Sequence, residues 1–268
     1  ALSALRGLTP NINRLNAPVT RRAKVKLGIK ADLASTLPDI GIFAMSVSGR
    51  ASDIPVELFV STEKSGKGTD GWLNEVANAF NASNPKLPDG RSVSVSVRKI
   101  ASGTGYQFIA SGKHRPTGFS PSNHLWVEMA KAHGVVLTRV SERMVGNIAG
   151  VVMRQEAAAA IRERYGQLDV RSILDAVVQG TLVMGYTNPF ASSTGLNFLV
   201  TVLSDFASGN SNAMLSEAVV SSFESFQRGV PFVALTTLQM RESVQSEGSL
   251  DAFVMEYQTF AATPELAS

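Results

Sequence analysis

Four times along this chain a hydrophobic strand pattern runs through a turn rich in Ser, Thr and Gly into an amphipathic helix pattern. The four turns contain Ser61–Ser65, Ser102–Gly105, Ser120–Ser122 and Gly185–Asn197. Strands that alternate with helices of ten or more residues are typical of parallel βα units. The pattern therefore predicts an α/β fold in which mainly parallel sheets are flanked by helices.

The turn Gly185–Asn197 reads GYTNPFASSTGLN and leads directly into a helix pattern. Backbone N–H groups at a helix N-terminus, with Ser and Thr hydroxyls beside them, suit a small anionic or carboxylate-bearing ligand. Ser and Thr are also the usual helix N-caps, so one such turn does not distinguish a binding site from a cap. Four of them favour a site, because ligands of open α/β sheets bind beyond the carboxyl ends of the strands.

Composition limits the alternatives. At 268 residues and 44% hydrophobic content, the chain can bury a core in one large domain or two small lobes. It contains no Cys, which excludes disulfides, zinc-thiolate sites and a cysteine nucleophile. No apolar run is long enough to cross a membrane. Because the sequence starts without Met and without a secretory h-region, we expect a trimmed or processed chain.

Positive charge is concentrated at the N-terminus. Residues 1–50 carry eight Arg or Lys and two Asp, a net charge of +6, whereas the remainder carries a net charge of −3. We interpret residues 1–52 as a basic N-terminal segment. It is either a solvated face near a removed anchor, or it contacts a membrane surface or polyanionic cell wall. Nucleic-acid binding is disfavoured, because no aromatic residue lies within the basic cluster to stack on bases.

The rest of the chain can be divided into elements. The predicted strands cover 56–60, 93–97, 135–140, 147–153, 181–186, 231–235 and 253–257. Helix patterns start near residues 70, 156, 169, 196, 215 and 238, and Asp169 is predicted to be an N-cap.

Catalytic and metal chemistry find little support. The segment Ser65–Thr69 lacks the Gly and Ser/Thr positions of a phosphate-binding P-loop. The three His residues show no metal-ligand spacing, and no Gly-x-Ser-x-Gly elbow is present. Apart from Glu63, the candidate loops are almost free of carboxylates, which argues against a glycosidase pair and for an anionic ligand. We expect no enzyme, no metal and no cofactor.

The order of elements from about Val56 to Tyr257 resembles the type II extracytoplasmic solute-binding proteins of bacterial transport systems. The matching motifs are ELFVSTEKS, SGTG, FSPSNHLW, GYTNPFASSTGLNFL, and VALTT followed by FVMEY. The chain is also similar to the version of this module found with von Willebrand factor A domains, although the sequence contains no such domain.

This resemblance implies a two-lobed periplasmic-binding-protein-like fold in which paired crossings join the lobes and solute is held in the cleft. We expect lobe 1 to comprise 53–146 with 232–268 and lobe 2 to comprise 147–231. The hinge would then lie near Met144–Gly150 and Arg228–Pro231. The resemblance implies these ligand-binding residues: Ser61, Thr62, Gly103, Thr104, Ser120 and Ser122 from lobe 1, Asn188, Ser192, Ser193 and Thr194 from lobe 2, and Tyr257 at the cleft edge.

The function that the resemblance implies is extracytoplasmic, monomeric capture of a small solute for transport or sensing, with a membrane transporter or an envelope protein as partner. Two alternatives stay open. The same fold can serve as an interaction or structural module of the cell envelope with a vestigial cleft, or it can carry an enzyme.

Overall fold

A computed structural model describes residues 36–247 and 250–266. They form an α/β fold with two four-stranded sheets, each flanked by helices, which gives two lobes. The strands are β1 (Met45–Val47), β2 (Ile54–Val60), β3 (Val93–Lys99), β4 (Gly118–Ser120), β5 (Ala149–Met153), β6 (Met184–Thr187), β7 (Phe232–Ala234) and β8 (Ala252–Glu256). The helices are α1 (Trp72–Ala82), α2 (Ser102–Ser111), α3 (Leu125–Ala132), α4 (Gln155–Tyr165), α5 (Val170–Val178), α6 (Ser193–Phe206), α7 (Glu217–Gly229), α8 (Thr237–Glu247) and α9 (Tyr257–Ala261).

The first sheet has the strand order β1-β3-β2-β4. Strands β3 and β4 both run parallel to β2, on opposite sides of it, and β1 is antiparallel to β3. The chain thus leaves β2 toward one side of the sheet and returns to the other, which creates a switch point between the carboxyl ends of β2 and β4. Ligands of doubly wound sheets bind at such points.

The second sheet repeats this arrangement, with the order β5-β8-β6-β7. Strands β7 and β8 run parallel to β6 on its two sides, and β5 is antiparallel to β8. Its switch point lies between the carboxyl ends of β6 and β8. The two sheets therefore have the same arrangement of strand directions, with three parallel strands and one antiparallel strand at an edge.

Pairing in the second sheet corrects the predicted lobe boundaries. We expected 232–268 to complete lobe 1, yet β7 and β8 pair with β6 and lie in the second sheet. Val230 packs against the core of that lobe, so Arg228–Pro231 is not a crossing between the lobes. The reason is local: helices α6 and α7 connect β6 to its neighbour β7, and α8 returns the chain to β8 beside β6.

Residues 133–148 connect the two lobes without a helix or strand. The strand predicted at 135–140 is wrong, although Val135 and Leu137 pack on the first lobe. Val136 and Val140 are 94% and 97% exposed. An alternating apolar pattern needs a neighbouring strand for its hydrogen bonds, and this segment pairs with neither sheet.

Part of the predicted basic N-terminal segment belongs to the first lobe. Strand β1 pairs with β3, and Leu37 is buried in a first-lobe cluster with Phe59 and Phe108. The cluster of basic residues at 21–30 lies outside the described residues.

The helix predictions hold in the described part of the chain. For example, α5 begins after the Asp169 cap, which forms a capping box with Ser172. None of the helices in the described part of the chain has the length and apolar character needed to span a bilayer.

Candidate functional site

A small cavity lies between the lobes where the two switch points face each other. Its free volume is about 10 Å³, which is near the lower limit for one water. The lining comes from both lobes, and eight of its ten residues are polar: Thr62, Glu63, Ala101 and Ser102 from the first, and Ala191, Ser192, Ser193, Thr236, Thr237 and Glu256 from the second. The lobes are thus closed over a polar space.

Three helices begin at this cavity. Helix α2 begins at Ser102, α6 at Ser193 and α8 at Thr237. Each N-terminus carries a partial positive charge of roughly half an elementary charge. Ser and Thr residues that only cap helices do not require the helix N-termini to lie near one another. The convergence of three N-termini on one cavity therefore favours a binding site over capping alone.

The loop after β2 supplies the first-lobe side of the cavity. Ser61 Oγ and Ser122 Oγ lie 2.7 Å apart, which ties this loop to the one after β4. Ser122 Oγ also donates to a carboxylate oxygen of Glu63, and Thr62 Oγ1 donates to the other at 3.3 Å. The hydroxyls of this loop therefore orient Glu63, which is 8% exposed.

Lys64 holds the same two loops together. Its Nζ donates to Ser120 O and Ser120 Oγ at 2.9 Å and to Pro121 O at 3.2 Å. Burial lowers the pKa of Lys64 to about 8, and the charge of Glu63 opposes that shift. Lys64 thus connects the two loops of the first switch point, and it is not part of the cavity lining.

Glu256 occupies the second-lobe side. It ends β8 and is 6% exposed. Its Oε1 accepts hydrogen bonds from Thr194 Oγ1 and, at 3.0 Å, from Thr237 Oγ1, and its Oε2 accepts one from Thr259 Oγ1 at 3.4 Å. Burial first, and the charge of Glu63 second, raise the pKa of Glu256 to about 7. Thr194 and Thr237 oppose this shift by stabilising the carboxylate.

The lobes also contact each other directly around the cavity. Gly103 N donates to Ala191 O at 2.8 Å, and a Cβ at Gly103 would lie 2.1 Å from the carbonyl oxygen of Phe190. Only a glycine allows this approach. At the periphery Arg241 Nη1 and Asp70 Oδ2 form an ion pair at 3.0 Å between α8 and the short 3-10 helix Gly68–Gly71.

The structure distributes the residues proposed from the sequence among several roles. Thr62, Ser192 and Ser193 line the cavity. Thr194 is not in the lining, but its hydroxyl donates a hydrogen bond to the lining residue Glu256. Ser61, Ser120 and Ser122 belong to the first switch point, and Gly103 makes an interlobe contact.

Three further residues of that set have other surroundings. Asn188 shapes its turn by accepting the N–H of Phe190 at 2.8 Å. Thr104 is not part of the cavity lining. Tyr257 is also absent from the lining and is 69% exposed.

The sequence did not point to Glu256 as a site residue, nor to Thr237, whose hydroxyl donates a hydrogen bond to it. Both lie in the quoted motifs VALTT and FVMEY, so the signal was present. A Thr pair before a helix pattern and a Glu at the end of a strand pattern are ordinary features, and the sequence does not reveal the strand order that brings β8 beside β6.

The fold is shared with a solved structure, and two further structures are similar. The sulfate-binding protein SubI from Mycobacterium tuberculosis H37Rv superposes with a TM-score of 0.51 at 17% identity, over 79% of this chain and 68% of that one. A periplasmic thiamin binding protein matches with a TM-score of 0.48 at 11% identity, over 78% of this chain and 64% of that one. An extracellular solute-binding protein from Bordetella parapertussis matches at 0.45 and 14% identity, over 80% and 69%.

No curated protein sequence matches the chain. The model of the family described as bacterial extracellular solute-binding protein, however, matches residues 65–265, which is most of the chain and includes the second switch point. With two lobes that close over a polar cleft, the chain belongs to the bacterial extracellular solute-binding protein family.

Proposed function

We propose that this protein captures a small carboxylate-bearing or otherwise anionic solute in the cleft between its lobes and presents it for transport or sensing outside the cytoplasm. The observation that carries the proposal is the convergence of the N-termini of α2, α6 and α8 on one polar cavity lined from both lobes. Partial positive charges and hydroxyl donors at helix N-termini stabilise negatively charged groups.

The cavity of about 10 Å³ is too small for any solute larger than water. The lobes must therefore separate to admit a ligand, and the connection 133–148 is the segment between them. Hinge closure around a ligand is a common mode of domain motion. The described arrangement accordingly corresponds to the closed end of that motion.

The remaining parts of the proposal rest on the sequence. A transporter or envelope protein as partner, contact of the N-terminal segment with membrane or wall, and a monomeric state follow from the resemblance and the charge distribution. The narrower resemblance to modules found with von Willebrand factor A domains also stays a prediction.

Native mass spectrometry of the protein purified from its own host tests the proposed function. We expect a retained small molecule that is lost on mild unfolding, and small-angle scattering should show expansion of the protein once that molecule is removed. A protein that retains no solute and keeps one radius of gyration under all conditions would instead favour an interaction module with a vestigial cleft.

A further inference from the structure

Two carboxylates, one from each lobe, face the same interlobe cavity. Glu63 lies after β2 in the first lobe and Glu256 ends β8 in the second, and both line the cavity. They are 8% and 6% exposed. An anionic group alone does not account for this pair, because each carboxylate would repel it.

The hydrogen bonds to these carboxylates come from hydroxyls. Glu63 accepts from Thr62 and Ser122, and Glu256 accepts from Thr194, Thr237 and Thr259. Among the described residues neither carboxylate forms an ion pair with Arg, Lys or His. The adjacent ammonium of Lys64 is instead engaged by Ser120 and Pro121.

A buried carboxylate without a cation is costly unless it takes up a proton. In the closed cleft Glu256 can hold such a proton, because burial and the charge of Glu63 raise its pKa to about 7. A cationic group of the solute placed between the two carboxylates would satisfy the same need. It would also attract groups from opposite lobes at once, so it would stabilise closure.

We propose that the solute carries a protonated amine that binds between Glu63 and Glu256, in addition to the anionic group held at the helix N-termini. The inference rests on the proposed function and narrows its ligand class to small zwitterions such as amino acids. The anionic end would face α2, α6 and α8, while the ammonium would donate its N–H groups to the two carboxylates.

Such binding has a definite proton balance. The ammonium keeps its own protons, and its charge drives the proton of Glu256 into solvent, so binding releases protons. An anion without an amine has the opposite effect, because additional negative charge near Glu256 raises its proton affinity further. The sign of the proton exchange therefore distinguishes the two ligand classes.

Isothermal titration near pH 6.5, in two buffers of different ionisation enthalpy, measures this exchange. The probes are matched pairs that differ in the amine: glycine and glycolate, β-alanine and 3-hydroxypropionate, and 4-aminobutyrate and 4-hydroxybutyrate, with sulfate as a simple oxyanion. We expect an amine probe to bind with proton release and its hydroxyl partner to bind at least about tenfold more weakly.

Two variants locate the effect. Glu63→Gln and Glu256→Gln should each weaken the amine probe by at least about tenfold, and Glu256→Gln should abolish proton release. Glu75→Gln, on the exposed face of α1, is the matched control and should change neither quantity. If Glu256→Gln fails to fold, the Glu63→Gln result alone decides the question.

Tighter binding of sulfate or of a hydroxy acid, with proton uptake and with equal or higher affinity in Glu63→Gln, would overturn the inference. So would a solute retained from the host that contains no basic nitrogen, although that result would support the proposed function. If every probe fails to bind and no solute is retained from the host, the proposed function itself fails.

Discussion

The indole Nε1 of Trp126 donates a hydrogen bond to Ser193 Oγ at 3.0 Å. Trp126 is buried in the first-lobe core, whereas Ser193 begins α6 in the second lobe. Leu196 of the same helix packs against that first-lobe core as well. The N-terminus of α6 is therefore held by both lobes in the closed form, and its hydroxyl is already used in closure.

Breaking the Asp70–Arg241 ion pair should destabilise the closed form. The side chains are 8% and 19% exposed, so Arg241→Met leaves a buried carboxylate unpaired. The expected loss is about 3 kcal/mol, at the lower end for one partner of a buried pair. Urea unfolding measures it. Arg91→Met, which breaks the exposed pair with Asp89, should cost less than about 1 kcal/mol, and equal costs for both variants would contradict the prediction.

Gly103→Ala should prevent closure without unfolding either lobe. The added Cβ would meet the backbone of Phe190 at 2.1 Å, and only separation of the lobes relieves that clash. Small-angle scattering should therefore show a larger radius of gyration than that of the wild-type protein with its solute retained. Gly146→Ala, where a Cβ meets nothing within 4 Å, is the control. An unchanged radius for Gly103→Ala would mean that the Ala191 loop moves instead.

Stability should depend on pH through Glu256. Its folded-state pKa is raised from 4.5 to about 7, so the folded protein binds the extra proton. Its contribution to the free energy of unfolding is therefore full below about 4.5 and falls as pH rises to about 7, by at most about 1.4 kcal/mol per pH unit. Denaturant titrations at several pH values measure this slope. Glu256→Gln should remove it, and Glu75→Gln should keep it.

Thr194→Val tests the role of this hydroxyl within the closed site. Thr194 donates to Glu256 and lowers its pKa. Without this hydrogen bond the pKa of Glu256 should rise, so the pH range over which the free energy of unfolding falls should move to higher pH. Thr201→Val is a matched control on α6, because the Thr201 hydroxyl bonds its own helix at Asn197 O. A shift of the same size in both variants would indicate a helix effect unrelated to Glu256.

Truncation separates the two parts of the N-terminal segment. Deleting residues 1–30 leaves Leu37 and β1 in place, and we expect cooperative thermal unfolding to persist. Deleting 1–47 removes the buried Leu37 and the antiparallel edge strand β1, and the melting temperature should fall clearly. Calorimetry of the two deletions decides it, and similar melting curves would show that β1 contributes little.

The fold could be predicted from the sequence because strand and helix periods are local properties. The βα alternation gave the correct class, and Asp169 gave the correct start of α5. The lobe membership of β7 and β8 could not be obtained in this way. Strand order depends on which edges pair, and nothing in the sequence from Phe232 to Glu256 distinguishes a neighbour of β6 from a neighbour of β2.

The candidate site, like the fold, could be predicted only in part. The hydroxyl-rich turns pointed to Thr62, Ser192 and Ser193, which line the cavity. Glu256 could not be found from its own surroundings, because a Glu at a strand end is ordinarily exposed. It becomes a buried cavity residue only when β8 lies beside β6 and the hydroxyls of Thr194 and Thr237 receive it.

The connection 133–148 has a consequence for how affinity can evolve. Closure of the lobes is an association between two tethered partners, and its strength depends on the local concentration that the tether imposes. For short flexible tethers this concentration is in the millimolar range, and it falls with roughly the −3/2 power of tether length. Insertions into this exposed segment would therefore weaken solute capture while every contact within the cleft stayed the same.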